Sequence, residues 1–230
     1  MIKISFIIPT RNEEKYIEDC LKSIKNQIKK NYEIIVVDTL SKDNTIKIAK
    51  RYGAKVIREA RRGVAIARNK GSKFAKGDIL VFADADVRFE KDFTKRLEEK
   101  FKDDIAGGIF NLTFFDGNKF DNLAFRFWNL VIKNLIRLGF ILTNGSCFAY
   151  DKKIFKRVRG FYEKLFTNED NDLARRIAKL KRFCFFDDII VYTSIRRVKK
   201  KGYLKYLILH IKSTLLYFIG RRSLKEYWSY

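Results

Sequence analysis

Two carboxylates one residue apart, Asp84 and Asp86, follow the apolar run Ile79–Ala83. The run lacks Gly and Pro and is typical of a buried central strand. Because ligands bind at the carboxyl ends of strands in open α/β sheets, we expect the pair to lie at a ligand site. The pair suits a divalent cation that carries substrate phosphates, since Mg²⁺ takes one or two protein carboxylates together with phosphate oxygens. An acidic turn after a strand would give the same pattern.

Other polar groups stand at the ends of predicted elements along the chain. Apolar runs at residues 3–8 and 33–37 predict two more strands, each followed by a polar segment and a helical stretch, which indicates an α/β fold. Downstream, an acidic pair opens an amphipathic segment that runs to about residue 180. The candidate site residues in these segments, and in the stretches between them, are Pro9, Thr10, Arg11, Glu13, Asp38, Arg68, Asn144, Gly145, Glu169 and Asp170.

In order and spacing, these motifs resemble the inverting nucleotide-sugar glycosyltransferases of family 2, from about residue 4 to residue 191. The resemblance implies the GT-A fold, a Rossmann-like α/β architecture with a mixed, mainly parallel sheet flanked by helices. It implies one GT-A domain over residues 1–195, with a nucleotide-sugar half to about residue 115 and an acceptor half over residues 116–195. Residues 196–230 are then a C-terminal amphipathic helical extension.

The same resemblance assigns the acidic pair after the third predicted strand to the metal and the donor. Asp86 is expected to ligate Mn²⁺ or Mg²⁺ directly. Asp84, with Ala85 next to it, is expected near the ribose or in the water shell of the metal. A divalent ion that bridges two phosphates stabilises the negative charge of the leaving group as a Lewis acid. A capping turn is the alternative for Asp84.

On the nucleotide side, the resemblance implies a binding loop formed by Pro9, Thr10, Arg11 and Glu13. Glu13 could equally be an acid in the first turn of the next helix. Asp38 is expected to contact the nucleobase or ribose, but Thr39 and Leu40 replace the Asp and Gly that usually follow in the family. The donor is therefore a UDP-sugar or a GDP-sugar, with UDP favoured by its frequency in the family. Arg68 is expected near the phosphates, and a surface position on a helix is its alternative.

For the acceptor side, the resemblance implies that Asp170 is the base that deprotonates the attacking hydroxyl and that Glu169 orients the acceptor or the sugar. A positioned carboxylate base contributes about 10²–10⁴-fold to the rate. Locally, Asn168 or Asp170 could also cap the helix that follows. Asn144 and Gly145 are expected to line the same cleft.

The net charge of +23 is concentrated toward the C-terminus, where ten Lys or Arg after residue 195 stand against one acid, Glu226. Basic residues beside an apolar helix are typical of a membrane-surface element. Residues 203–219 contain Lys205 and Lys212 and are shorter than the roughly 20 apolar residues of a spanning helix. We expect an interfacial helix, or one docked on a second subunit in a homo-oligomer; packing on the chain's own core is the alternative.

A second amphipathic helix is predicted over residues 120–138, with a polar face of Asn122, Arg126, Asn129, Lys133 and Arg137 and a wide apolar face. Together the two segments favour a glycan or lipid-linked acceptor at an anionic membrane surface. The three cysteines lack a C-x-x-C spacing, and residues 2–8 are too short for a cleavable signal. The expected location is the cytoplasmic face of a membrane, with peripheral attachment.

Two other functions are compatible with parts of the sequence. A sugar-phosphate nucleotidyltransferase shares the sheet type and the metal, but it normally has a Gly-rich loop after the first strand, and this chain has none there. A basic nucleic-acid-binding module would explain the charge but not the acidic residues at strand and helix ends. Neither explains the pair Glu169-Asp170.

Overall fold

A mixed sheet runs through the part of the chain that the structure, a computed structural model, describes: residues 3–101 and 104–220. Its strands are β1 (Ile4–Thr10), β2 (Tyr32–Asp38), β3 (Lys55–Arg58), β4 (Ile79–Ala83), β5 (Arg88–Phe89), β6 (Ile105–Phe114), β7 (Cys147–Asp151) and β8 (Arg182–Thr193). The helices are α1 (Ile17–Lys25), α2 (Thr45–Arg51), α3 (Val64–Phe74), α4 (Phe93–Lys100), α5 (Lys119–Arg137), α6 (Lys152–Arg157), α7 (Glu169–Ala178), α8 (Arg196–Lys201) and α9 (Tyr203–Gly220).

The strands lie in the order β3-β2-β1-β4-β7-β6-β8-β5. The four strands of the N-terminal half are parallel, whereas β7 runs antiparallel between β4 and β6. The register of β1 with β2 places Thr10 opposite Asp38. β1 continues to Thr10 rather than ending at residue 8, so Pro9 and Thr10 belong to the strand and the loop begins at Arg11. Several polar segments therefore meet at one edge of the sheet.

Alternating side chains of the central strands build a core on each side of the sheet. Phe6 and Ile8 of β1 pack in the cluster that contains α1 and α4, while Ile7 packs in the cluster that contains α3 and α7. Burying a side chain of this size contributes roughly 1.5–3 kcal/mol. Close packing of α3 on β1 requires Gly71, where an added Cβ would lie 2.5 Å from Cγ2 of Ile7. The core thereby fixes α3, which carries Arg68.

Helix α5 buries Asn129, Ile132 and Ile136 and leaves several large apolar side chains exposed. Oδ1 of Asn122 accepts a hydrogen bond from the backbone N–H of Phe114 at 2.9 Å. Nδ2 of Asn129 donates to the backbone carbonyl of Leu112 at 2.7 Å. The exposed large apolar residues on or beside this helix are Phe120, Leu123, Phe127, Trp128, Leu130, Leu138 and Phe140. The predicted helix is present, and these exposed apolar residues form what we call the outward face of α5.

Helix α9 lies on α7 through polar contacts of its own polar face. The hydroxyl of Ser213 accepts from Nδ2 of Asn168 at 2.8 Å, and the hydroxyl of Tyr217 donates to Oδ1 of Asp172 at 3.1 Å. Leu204, Ile208, Leu215 and Ile219 are exposed. Within residues 3–101 and 104–220, every helix is too short or too polar to cross a bilayer. The last part of the predicted extension, residues 221–230, lies outside the described residues.

We expect Phe82→Ala to destabilise the protein by about 3–5 kcal/mol, because it removes a fully buried ring and leaves a cavity. The ring centre of Phe82 lies 5.1 Å from that of Phe161 and 5.7 Å from that of Phe148. Urea denaturation measures the change. Phe127→Ala, which removes a ring that is 68% exposed, is the matched control and should change the free energy of unfolding by less than about 0.5 kcal/mol. Equal losses in the two variants would contradict this packing.

Candidate active site

A buried arginine joins the acidic pair after β4 to the acidic pair at the start of α7. Nη2 of Arg68 donates to Oδ1 of Asp84 at 3.1 Å, and Nη1 donates to Oε1 of Glu169 at 2.8 Å. The guanidinium carbon lies 4.9 Å from the ring centre of Phe148, and Arg68 is 2% exposed. The alternative of a surface arginine is therefore wrong. The carboxylate of Asp84 is bonded to arginine rather than capping a turn.

Asp170 is held by the side chain of Thr143 and the backbone of Asn171, two residues that were not among the sequence predictions. Oδ2 of Asp170 accepts from the hydroxyl of Thr143 at 2.6 Å, and its Oδ1 accepts from the backbone N–H of Asn171 at 2.9 Å. Oδ1 of Asn171 accepts in turn from the backbone N–H of Thr143 at 2.8 Å. Asn168 precedes α7 in a left-handed conformation and makes no side-chain capping bond. A Cβ on Gly145 would lie 3.6 Å from Oδ2 of Asp170, so this glycine faces the same carboxylate.

Burial changes the titration of the carboxylates that line this cleft. Desolvation raises the pKa of Glu169 to about 8; the negative charge of Asp170 adds to the shift and Arg68 opposes it. Burial also raises the pKa of Asp84, against the opposing charges of two arginines. It raises the pKa of Glu13 to about 7. Clustered acids with poor solvation favour the binding of a cation, because a nearby positive charge stabilises their ionised forms.

Two arginines at the start of α8 reach into the cleft, although the sequence analysis placed them in a membrane-facing extension. Nε of Arg196 donates to Oδ2 of Asp86 at 2.7 Å, and its Nη2 lies 2.8 Å from Oε2 of Glu13. Nη2 of Arg197 lies 3.3 Å from Oδ2 of Asp84. They stand shortly after β8, but this position alone does not predict that they turn into the cleft. Composition does not distinguish these two arginines from the lysines that follow them, Lys199, Lys200 and Lys201.

The ends of β1 and β2 carry the residues that the sequence predicts to bind the nucleotide. Asp38 is buried, and its Oδ1 accepts from the hydroxyl of Thr10 at 3.3 Å. Its Oδ2 accepts from the backbone N–H of Ser41 at 3.1 Å. Pro9 is half-buried next to Thr10, and Arg11 is exposed just beyond the strand. These residues lie at the same sheet edge as Glu13 and form a polar rim.

A cavity of about 440 Å³ extends from the acidic cleft to an aromatic wall. Its polar end is lined by Arg68, Asp84, Asp86, Asn144, Gly145, Glu169, Asp170 and Arg197. Its apolar end is lined by Phe114, Phe120, Phe125, Trp128, Tyr203 and Tyr206. The volume is within the range of sites that enclose small molecules. Two residues of the apolar end, Phe120 and Trp128, also belong to the outward face of α5.

The carboxylates of Asp84 and Asp86 are the groups that fit a divalent cation. They follow one strand, flank Ala85 and line the same cavity. Within residues 3–101 and 104–220, no group of three or more acidic, His or Cys side chains is arranged to hold a metal by itself. A cation on Asp86 would therefore complete its shell with phosphate oxygens or water, which is how Mg²⁺ commonly binds at phosphate sites.

Residues 5–159 match the sequence profile described as Glycosyl transferase family 2. The chain belongs to this family. Among curated family members, the dolichol-phosphate mannosyltransferase of Pyrococcus furiosus is 36% identical over 169 residues, which cover 70% of this chain and 46% of that protein. The chain thus spans less than half the length of that relative.

Two solved structures show the same fold. The mannosyltransferase PcManGT of Pyrobaculum calidifontis, solved with GDP-Man and Mn²⁺, has a TM-score of 0.68 at 20% identity and covers 91% of this chain and 64% of its own. S. aureus TarS 1-349 with UDP-GlcNAc has a TM-score of 0.68 at 19% identity and covers 98% of this chain and 77% of its own. The predicted family and the predicted GT-A fold are confirmed, and the chain carries a glycosyltransferase domain.

We expect Glu169→Gln to alter how stability depends on pH. Because the pKa of Glu169 rises from 4.5 to about 8 on folding, the protonated acid is favoured in the folded state. Its stabilisation is fully present below pH 4.5 and is lost as the pH rises through about 8. The free energy of unfolding of the wild type, measured in urea, should therefore fall more steeply across this window than that of Glu169→Gln.

The matched control for this titration is Glu99→Gln, which removes an exposed carboxylate of α4. Its pH profile should follow that of the wild type. A wild-type profile parallel to that of Glu169→Gln would show that Glu169 titrates as an ordinary carboxylate in the folded protein.

Proposed function

We propose that this family 2 glycosyltransferase transfers a sugar from a UDP-sugar or GDP-sugar to a lipid-linked acceptor at a membrane surface. The transfer inverts the anomeric centre and requires Mn²⁺ or Mg²⁺. The observation that carries the proposal is the cavity in which an acidic, arginine-bridged cleft meets an aromatic wall beside the outward face of α5. Such a cavity suits a substrate with a charged reacting end and an apolar remainder.

The donor would occupy the polar end of the cavity. Asp86, with Asp84 beside it, would hold the divalent cation, which when bound stabilises the leaving diphosphate as a Lewis acid. Thr10 and Asp38 would contact the nucleoside from the adjacent strand ends. The two structural relatives were solved with GDP-Man and Mn²⁺ and with UDP-GlcNAc, which supports a nucleotide-sugar donor without choosing the base.

Asp170 would act as the base. Its carboxylate lies at the cavity, where Thr143 and the backbone of Asn171 fix its orientation. A hydroxyl that attacks the anomeric carbon on the face opposite the diphosphate would transfer its proton to Asp170, and this single displacement inverts the centre. Glu169 would position the sugar or acceptor, since its ion pair with Arg68 holds it at the same edge.

The apolar face of α5 supports a membrane-bound acceptor. Phe120, Leu123, Phe127 and Leu130 are each more than half exposed. Tyr203 at the start of α9 donates to Oδ1 of Asp121 at 2.6 Å, so the two helices meet at the cavity. Exposed apolar side chains flanked by basic residues favour binding to an anionic surface, where each Lys or Arg contributes about 1 kcal/mol. The Pyrococcus relative is named a dolichol-phosphate mannosyltransferase, which supports a lipid-linked acceptor. The proposed location is the cytoplasmic face of a membrane.

Asp86→Asn is expected to abolish metal-dependent nucleotide binding, whereas Asp170→Asn should bind nucleotide normally and lose about 10²–10⁴-fold in kcat. Calorimetry with UDP and with GDP, each with and without Mn²⁺, measures binding and identifies the base. Asp78→Asn, at an exposed carboxylate outside the cleft, is the control. Wild-type protein that is folded but binds neither nucleotide would contradict the proposed function.

Replacing Phe127 and Leu130 by Ser should weaken binding to vesicles of phosphatidylcholine and phosphatidylserine, because both side chains lie on the outward face of α5. Co-sedimentation measures the bound fraction. Ile28→Ser removes an equally exposed apolar side chain outside α5 and α9 and should bind like the wild type. If the wild-type protein does not bind vesicles but forms dimers in sedimentation velocity, the outward face of α5 would instead be a contact with a second copy of the chain.

A further inference from the structure

Arg196 and Arg197 bond to the carboxylates that the proposed function gives to the metal and the donor. Arg196 bridges Asp86 and Glu13, with contacts of 2.7 Å and 2.8 Å. Its guanidinium carbon also lies 4.0 Å from the ring centre of Tyr16. Between them, Arg196 and Arg197 contact both acids of the Asp-x-Asp pair. The start of α8 is therefore part of the cleft.

The backbone that carries these arginines is fixed independently of the cleft. The hydroxyl of Ser194 donates to Oδ2 of Asp116 at 2.5 Å, and the backbone N–H of Ile195 donates to Oδ1 of the same residue at 2.9 Å. The carboxylate of Asp116 thus pins the chain just before α8. A guanidinium on its flexible stem can then exchange partners without movement of the helix.

The exchange has a clear chemical reason. A divalent cation on Asp86 would compete with the guanidinium of Arg196 for the same carboxylate oxygens. A diphosphate bound to that cation would bring new acceptor oxygens to the same place, and guanidinium groups bind phosphate with two parallel, charge-assisted hydrogen bonds. Arg196 is only partly buried, with 24% of its side chain exposed. It is thus accessible to an incoming donor.

We propose that Arg196 and Arg197 bind the diphosphate of the donor and that, in the nucleotide-free protein, Glu13, Asp84 and Asp86 hold them in the cleft. The inference rests on the proposed function and adds two residues to its donor site. It also makes metal and nucleotide binding cooperative. A metal ion that binds alone must displace Arg196 from Asp86 and leaves the arginine without that partner. A metal ion that binds with a diphosphate supplies the phosphate as a new partner for Arg196, so each ligand favours binding of the other.

The test compares wild type, Arg196→Gln and Arg197→Gln in two binding measurements on the full chain. Titration with Mn²⁺ alone, followed by electron paramagnetic resonance, should show tighter metal binding in Arg196→Gln. Calorimetry with UDP and GDP at saturating Mn²⁺ should show affinity reduced about 10- to 100-fold in each variant, since a charge-assisted bond is lost. Arg51→Gln, which breaks an exposed arginine–carboxylate pair between α2 and α1, is the matched control and should behave as the wild type in both.

Nucleotide affinity that is unchanged in both variants would overturn the assignment, as would Mn²⁺ affinity that fails to rise in Arg196→Gln. Arg196→Lys keeps the charge but not the two-pronged geometry, and it should give intermediate nucleotide affinity; it replaces Arg196→Gln if that variant does not fold. Wild-type protein that binds no nucleotide overturns the proposed function itself. Wild-type binding with unaffected variants overturns this inference alone, so the two failures are distinguishable.

Discussion

The ion pairs of Arg68 are the constraint on which the rest of the site depends. Asp84 and Glu169 are separated by 85 positions along the chain, yet both bond to this one guanidinium, which is almost fully buried. Burial disfavours the ionised form of both carboxylates, and the positive charge of Arg68 opposes that effect at each of them. Gly71, one helical turn further along α3, lets the helix approach β1 closely enough to bring Arg68 over the sheet edge.

Charge explains the further organisation of the cleft. Acids from several elements converge where solvent is scarce, and burial raises the pKa values of Glu13, Asp84 and Glu169. Arg68 of α3 and Arg196 of α8 form ion pairs with them. The cleft thus has several arginine–carboxylate contacts that a phosphate and a cation could replace together.

Local sequence patterns were sufficient to predict which residues lie at the carboxyl ends of the strands. Each apolar run shows where a strand ends, and the polar residues that follow parallel strands lie at the same edge of the sheet. Asp38, Asp84 and Glu169 were placed on that basis, together with the family resemblance. The turn of Arg196 into the cleft could not be predicted, since it depends on Asp116, a residue remote in sequence. Nor could the orientation of α5, because periodicity reveals two faces but not that Asn122 and Asn129 would bond to backbone groups of β6.

The contacts of α9 have a consequence for how the protein can be divided. The family profile ends at residue 159, yet α7 begins after it and rests on Ser213 and Tyr217 of α9. Asn168, immediately before Glu169, is among the groups that Ser213 holds. The profile is accordingly not a transplantable module. Exchanging or removing α9 would take away the contacts that hold the start of α7, where the acidic pair lies. Chimeras with relatives therefore need their junction placed beyond α9.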